Sequence, residues 1–89
     1  MMESKIEIVN RLGLHARAAA KLVHTAAAFE SQVTLVKDGE EVDAKSILGI
    51  LQLGAPQGSH IALRCEGGDE EAALAAVSEL ISNRFGEED

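Results

Sequence analysis

Residues 13–24 read Gly13-Leu14-His15-Ala16-Arg17-Ala18-Ala19-Ala20-Lys21-Leu22-Val23-His24, and in this run a strand hands over to a helix. Ala19, Leu22, Val23 and Ala26 fall at i, i+3, i+4 and i+7, which is one helical face. The alanine-rich run also has high intrinsic helix propensity. Together these predict a helix from residue 16 to about residue 28. Upstream, Ile6 and Ile8 alternate with Lys5 and Glu7, which predicts a half-buried strand over Lys5 to Val9, ending near Asn10. Gly13 allows the sharp turn between them. His15 therefore falls at or beside the helix N-cap.

That position carries chemistry. The first N–H groups of a helix have no partner within it, and with the helix dipole they form a site for an anion. Arg17 adds a permanent positive charge one turn in. A helix N-terminus and an arginine both disfavour an imidazolium, which predicts a neutral His15 ring with a free nitrogen lone pair. Such a ring is a nucleophile, and the group suited to a nucleophile facing an anion hole is phosphoryl. His15 and Arg17 are the candidate catalytic residues, with the amides of Ala16, Arg17 and Ala18 around the phosphate oxygens. Spacing alone leaves open the plainer reading of a surface or capping histidine beside a solvated arginine.

Outward from this run, Val33 and Leu35 flank Thr34 in a second strand, and Asp38-Gly39 is a hairpin signal because both residues tolerate positive φ. A weakly apolar third strand from Glu40 to about Ala44 suits a sheet edge. Ser46 reads as the N-cap of a short apolar helix, Ile47 to Leu53, ended by Gly54. Ile61, Leu63 and Cys65 alternate with polar or small neighbours in a fourth strand, where Cys65 faces inward as an inert thiol. Asp69 can cap a last helix, with Glu70 and Glu71 in its first turn and Leu74, Val77 and Ile81 as its core stripe, beside Ala73 and Leu80. Arg84 and Gly86 are stop signals, and Glu87-Glu88-Asp89 reads as a charged, frayed tail.

The order is β-α-β-β-α-β-α. Strands with one wet face imply an antiparallel sheet covered by helices on the other face, an α+β fold. The pattern alone also admits a ferredoxin-like domain that binds a small molecule. Eighty-nine residues make one domain, residues 1–89, with one modest core. Leu, Ile, Val and Phe number 24, enough to exclude disorder. With only Phe29 and Phe85 as aromatics, an aliphatic, alanine-rich core is expected. A net charge of −7 argues against nucleic acid and anionic membranes, and favours a basic patch on a partner. No run approaches the roughly 20 apolar residues of a membrane span, the N-terminus lacks a signal-peptide pattern, and one cysteine forms no internal disulfide; a cytoplasmic protein is expected. Three histidines and one cysteine without ligand spacing predict no metal.

Gly13-Leu14-His15-Ala16-Arg17 resembles the active-site signature of the histidine-containing phosphocarrier (HPr) family of the bacterial phosphotransferase system. Lys45-Ser46-Ile47-Leu48-Gly49-Ile50-Leu51-Gln52-Leu53-Gly54 resembles that family's second hallmark, in the same order and separation. The resemblance implies an open-faced β-sandwich, four antiparallel strands ordered 1-4-2-3 with three helices on one side. It implies that His15 accepts a phosphoryl group, on the ring nitrogen nearer the backbone, from the phosphoenolpyruvate-dependent first enzyme. His15 then passes it to a second-stage protein of sugar transport or nitrogen regulation. The chain would be a phosphoryl-transfer intermediate rather than a stand-alone enzyme, monomeric and without cofactor. The resemblance further implies docking through Ala20, His24, Ile47, Leu48 and Leu51, and in some members phosphorylation of the serine matching Ser46 by a dedicated kinase. A regulatory binding protein of the same fold, acting through Ser46 and docking, is the alternative. Many members have proline where this chain has Ala18, which leaves the sugar-type and nitrogen-type branches both open.

Overall fold

Ile6, Val33, Leu35, Ile61, Leu63 and Cys65 alternate with polar or small neighbours along their strands, and all six side chains turn into one core. The computed structural model describes residues 1–87. In chain order the elements are β1 (Met2–Glu7), α1 (Ala16–Ala27), β2 (Gln32–Lys37), β3 (Glu40–Asp43), α2 (Ile47–Leu53), β4 (His60–Glu66) and α3 (Glu70–Ser82). A 3-10 turn, Arg84–Gly86, follows. The strands form one antiparallel sheet in the order β1-β4-β2-β3. Of the two architectures open to the alternation pattern, this is the open-faced sandwich. The helices lie together on one face, with α1 against α2 and α3, and α3 against β1 and β4. The other face carries Glu3, Thr34, Glu41 and Arg64 toward solvent.

Local signals account for most boundaries. Asp38 and Gly39 both adopt positive φ, 51° and 82°, as a tight hairpin requires. Ser46 caps α2, its hydroxyl accepting from the Gly49 amide at 3.1 Å. Gly54 ends α2 in the left-handed conformation. Cys65 is buried, and burial pushes its thiol pKa up, with Glu70 and Asp69 adding to the shift.

Four expectations are corrected. β1 begins at Met2 rather than Lys5, because the ladder needs only backbone groups: Met2 pairs with Cys65 and Ser4 with Leu63, although neither gives an apolar alternation signal. The central buried positions of α3 are Ala73, Val77 and Ile81, with Leu74 and Leu80 half-buried at the flanks; a methyl side chain suits the close approach to the sheet. Asp69 makes no side-chain cap on α3. Its carboxylate turns instead to the α1–β2 connection, accepting from the Glu30 and Ser31 amides, each at 2.9 Å, and from the Ser31 hydroxyl. These bonds, the Ser31 hydroxyl foremost, hold its pKa below the usual aspartate value.

The fourth correction concerns the C-terminal end. Phe85 leads the fully buried side chains in size, so the core is aliphatic around one aromatic anchor. Arg84 and Phe85 both take left-handed backbone, φ 56° and 55°. That geometry costs about 1–2 kcal/mol per non-glycine residue, and burying a phenylalanine returns about 1.5–3 kcal/mol. The two nearly cancel, so the turn needs further bonds, and Lys21 supplies one by donating Nζ to the Phe85 carbonyl at 2.6 Å. Glu87 is held in place beyond this turn, where a frayed tail was expected; Glu88 and Asp89 lie outside the described residues. Among the described residues no helix is long and apolar enough to cross a membrane.

Candidate functional site

Gly13 sets the entrance to α1. Its φ is +67°, and a Cβ there would lie 2.6 Å from the Ala55 carbonyl oxygen and 2.9 Å from the Pro56 Cα. The close approach lets the Leu14 amide donate to that carbonyl at 2.9 Å, fixing the turn to the segment after α2. Asn10, fully buried, donates Nδ2 to the Gly13 carbonyl at 2.8 Å. The chain then enters α1 with His15 as its N-cap, φ −80° and ψ 177°.

His15 caps the helix with its own ring, Nδ1 accepting from the Arg17 amide at 3.2 Å. One of the outward amides expected to meet a phosphate is therefore already engaged by the imidazole. The other ring nitrogen, Nε2, lies 2.6 Å from Oε2 of Glu87, and the two side chains are 26 % and 16 % exposed. Burial pushes the Glu87 carboxyl up, but hydrogen bonds from His15 and Asn10 and the charge of Lys21 hold it net below the usual glutamate range. An ionised carboxylate only accepts, so Nε2 carries the proton. The Arg17 amide only donates, so Nδ1 keeps its lone pair. Both partners favour one tautomer, with the lone pair on the nitrogen nearer the backbone.

The expectation of a ring governed by two positive influences is thus incomplete, because an acid stands against its far nitrogen. Local periodicity could not reveal Glu87; the only hint is the order Phe85-Gly86-Glu87, an apolar residue and a glycine beyond the last helix. Asn10 was also missed. Its Nδ2 reaches Glu87 Oε1 at 3.1 Å, while its Oδ1 is buried without a protein partner.

Arg17 is exposed, and among the described residues its guanidinium makes no hydrogen bond or ion pair. Ala16 is exposed, whereas Ala18 is 0 % exposed, so the amide that alanine supplies at this position lies beneath the surface. Ala20 and His24 are exposed one turn apart on α1. On the adjoining α2, Ile47, Leu48 and Leu51 are 42 %, 75 % and 38 % exposed, while Ile50 and Leu53 are buried. Leu12, 62 % exposed in the turn before His15, adds an apolar side chain that the sequence reading passed over. Among the described residues no three His, Cys, Asp or Glu side chains are grouped to hold a metal.

A lone histidine whose Nδ1 caps a helix N-terminus, on a sandwich ordered 1-4-2-3, is the arrangement of a small carrier domain, and comparison with known proteins agrees with it. The family model "PTS HPr component phosphorylation site" matches residues 2–83. The chain is 51 % identical over 88 residues to the phosphocarrier protein HPr of Xylella fastidiosa, covering 99 % of both. It is 41 % identical to the phosphocarrier protein NPr of Shewanella violacea, covering 97 % of this chain and 94 % of that one. The crystal structure of HPr-C-His from Thermoanaerobacter tengcongensis superposes with a TM-score of 0.97 at 52 % identity, covering all of both chains. A dimeric crystal structure of HPr from that organism superposes at 0.79, covering 98 % of this chain and 100 % of that one. The chain belongs to the HPr family of phosphocarrier proteins of the phosphotransferase system. Its partners are enzymes of that system, and both HPr and NPr names occur among its relatives.

Proposed function

We propose that His15 is the residue that carries the phosphoryl group. The lone pair of Nδ1 attacks phosphorus on a phosphohistidine of the phosphoenolpyruvate-dependent first enzyme. The new N–P bond forms as the donor's N–P bond breaks, and that electron pair returns to the donor ring. The Arg17 guanidinium and the amides of Ala16 and Arg17 take the phosphoryl oxygens, the Arg17 amide being freed when Nδ1 ceases to accept from it. Positioning and charge stabilisation suffice for such a transfer. A second-stage protein, of sugar transport or nitrogen regulation, then receives the group. The observation that carries this reading is the geometry of the ring: Nδ1 faces the Arg17 amide at the positive end of α1 while Nε2 faces the Glu87 carboxylate, an arrangement suited to a lone pair on Nδ1.

Docking runs over Ala20 and His24 of α1 and over Ile47, Leu48 and Leu51 of α2, supported by their exposure beside His15. The protein acts as a cytoplasmic monomer, which light scattering tests. Ser46 is a regulatory site for a serine kinase. A phosphate there adds about two negative charges at the start of α2, on the side where partners dock. Phosphomimetic Ser46→Asp is expected to slow donor phosphorylation while leaving the fold intact by circular dichroism; an unchanged rate removes the regulatory role. The central test mixes the protein with the first enzyme of a phosphotransferase system, phosphoenolpyruvate and magnesium. Mass spectrometry is expected to find one acid-labile phosphate in the wild type and none in His15→Ala. A bare His15 with several such enzymes refutes the assignment.

A further inference from the structure

We propose that Glu87 is a positioning residue for phosphoryl transfer: it holds the proton on Nε2 of His15, so that Nδ1 is the nitrogen that takes and releases phosphorus. The proposal rests on the reading of His15 as the carrier, and it assigns a task to a residue beyond the last helix.

Three independent features hold the carboxylate there. Oε2 lies 2.6 Å from Nε2. Oε1 accepts at 3.1 Å from Asn10, the same buried side chain that ties down the Gly13 carbonyl, so one amide fixes both the turn before His15 and the acid behind it. The chain reaches this point through three consecutive left-handed residues, two of them the non-glycines Arg84 and Phe85, with Phe85 sunk in the core and its carbonyl bound by Lys21. A strained turn that ends on a ligand of the reacting side chain is over-determined by its surroundings. The groups facing the ring are then the Arg17 amide at Nδ1 and the Glu87 carboxylate at Nε2, with the Lys21 ammonium on α1 acting on that carboxylate.

The chemistry needs such a group in both directions. On acceptance, Nδ1 uses its lone pair for the N–P bond and Nε2 keeps its hydrogen, so the ring takes a formal positive charge. The carboxylate neutralises that charge in a mostly covered site, where electrostatic interactions exceed those in water. On donation, the N–P bond breaks toward the ring, which leaves as a neutral imidazole still protonated at Nε2. Without that proton the ring would leave as an imidazolate anion, a far poorer leaving group. Carboxylate–histidine pairs that fix a tautomer follow the same logic.

The test begins with the unphosphorylated wild type labelled with nitrogen-15. Ring nitrogen shifts of His15 are expected to place the proton on Nε2, and a ring protonated mainly on Nδ1 overturns the proposal without any variant. In Glu87→Gln the side-chain amide presents donor or acceptor alike, so a mixture of tautomers is expected. Single-turnover transfer from the phosphorylated first enzyme should fall by about tenfold to a hundredfold, with amide dispersion and melting temperature near wild type. A merely structural Glu87 would lower the melting temperature and leave the ring shifts unchanged; that outcome, or unchanged shifts and rate together, refutes the positioning role. Should the wild type show the Nε2–H tautomer yet accept phosphate from no donor, the carrier reading fails while the His15–Glu87 contact stands.

Discussion

Gly13 and Gly39 both have positive φ, +67° and +82°, but they differ in what surrounds them. An added Cβ at Gly39 meets nothing within 4 Å, whereas at Gly13 it meets backbone atoms of Ala55 and Pro56 at 2.6 and 2.9 Å. Gly39→Ala therefore incurs only the left-handed penalty, about 1–2 kcal/mol. Gly13→Ala adds an overlap that only backbone movement relieves, typically a further 1–3 kcal/mol or about that. Urea unfolding of both variants separates the two effects, and equal losses would mean that the segment after α2 yields freely. Asp69 makes a second prediction at this scale. Its folded pKa lies below the ordinary value, so its bonds to Ser31 and Glu30 add stability that is fully present above the unfolded pKa. That stability is lost as pH falls through the depressed folded value. Asp69→Asn is expected to be less stable near neutrality and to show a flatter loss of stability below about pH 4. Parallel acid limbs for the two proteins, followed by chemical denaturation at stepped pH, would discount the carboxylate.

At the scale of elements, the end of α3 couples folding to the site. Phe85→Ala removes the aromatic anchor, and substitutions of this kind in cores cost about 3–5 kcal/mol. It also removes the reason for two left-handed residues, so the turn should relax and carry Glu87 away from His15. The expected signature is a lowered melting temperature together with a changed tautomer of the His15 ring. A lowered melting temperature with the ring unaffected would show that Asn10 alone holds the acid. This coupling was not legible in the sequence, and the reason is physical. The strands, α1 and α2 announce themselves through periods of 2 and 3.6, and Ser46, Gly54 and Asp38-Gly39 through local caps and turns. His15 and Arg17 stand out because strand and helix signals meet at them. Glu87 reaches His15 across 72 positions by a turn whose first two left-handed residues are Arg84 and Phe85, with only Gly86 as a glycine signal, and Asn10 acts through a buried amide. Asp69 misled for a related reason. Its place before α3 matches a capping rule, but the nearby amides of Glu30 and Ser31 compete for the same carboxylate and win.

Across the whole molecule, α1, which His15 caps, packs against α2 with its exposed apolar side chains, while the chain carries a net charge of −7. These features act on different parts of an encounter. Charge acts at a distance and sets how often a partner with a basic patch arrives, and salt weakens it beyond about 8 Å at physiological ionic strength. Leu48, 75 % exposed, acts only on contact, by leaving water as the partner docks. As a surface side chain it contributes little to folding, within about 0.5 kcal/mol. Leu48→Ala should therefore leave the melting temperature in place and raise the KM of the donor enzyme for this protein about fivefold or more, the effect of losing about 1 kcal/mol at a contact that matters. Because the substitution leaves charge untouched, the relative dependence on salt should match the wild type, while both lose rate as salt rises. An unchanged KM would mean that α2 lies outside the donor interface. The exposed side of α1, Ala20 and His24, would then have to carry the docking, and the apolar surface of α2 would belong to the second-stage acceptor alone.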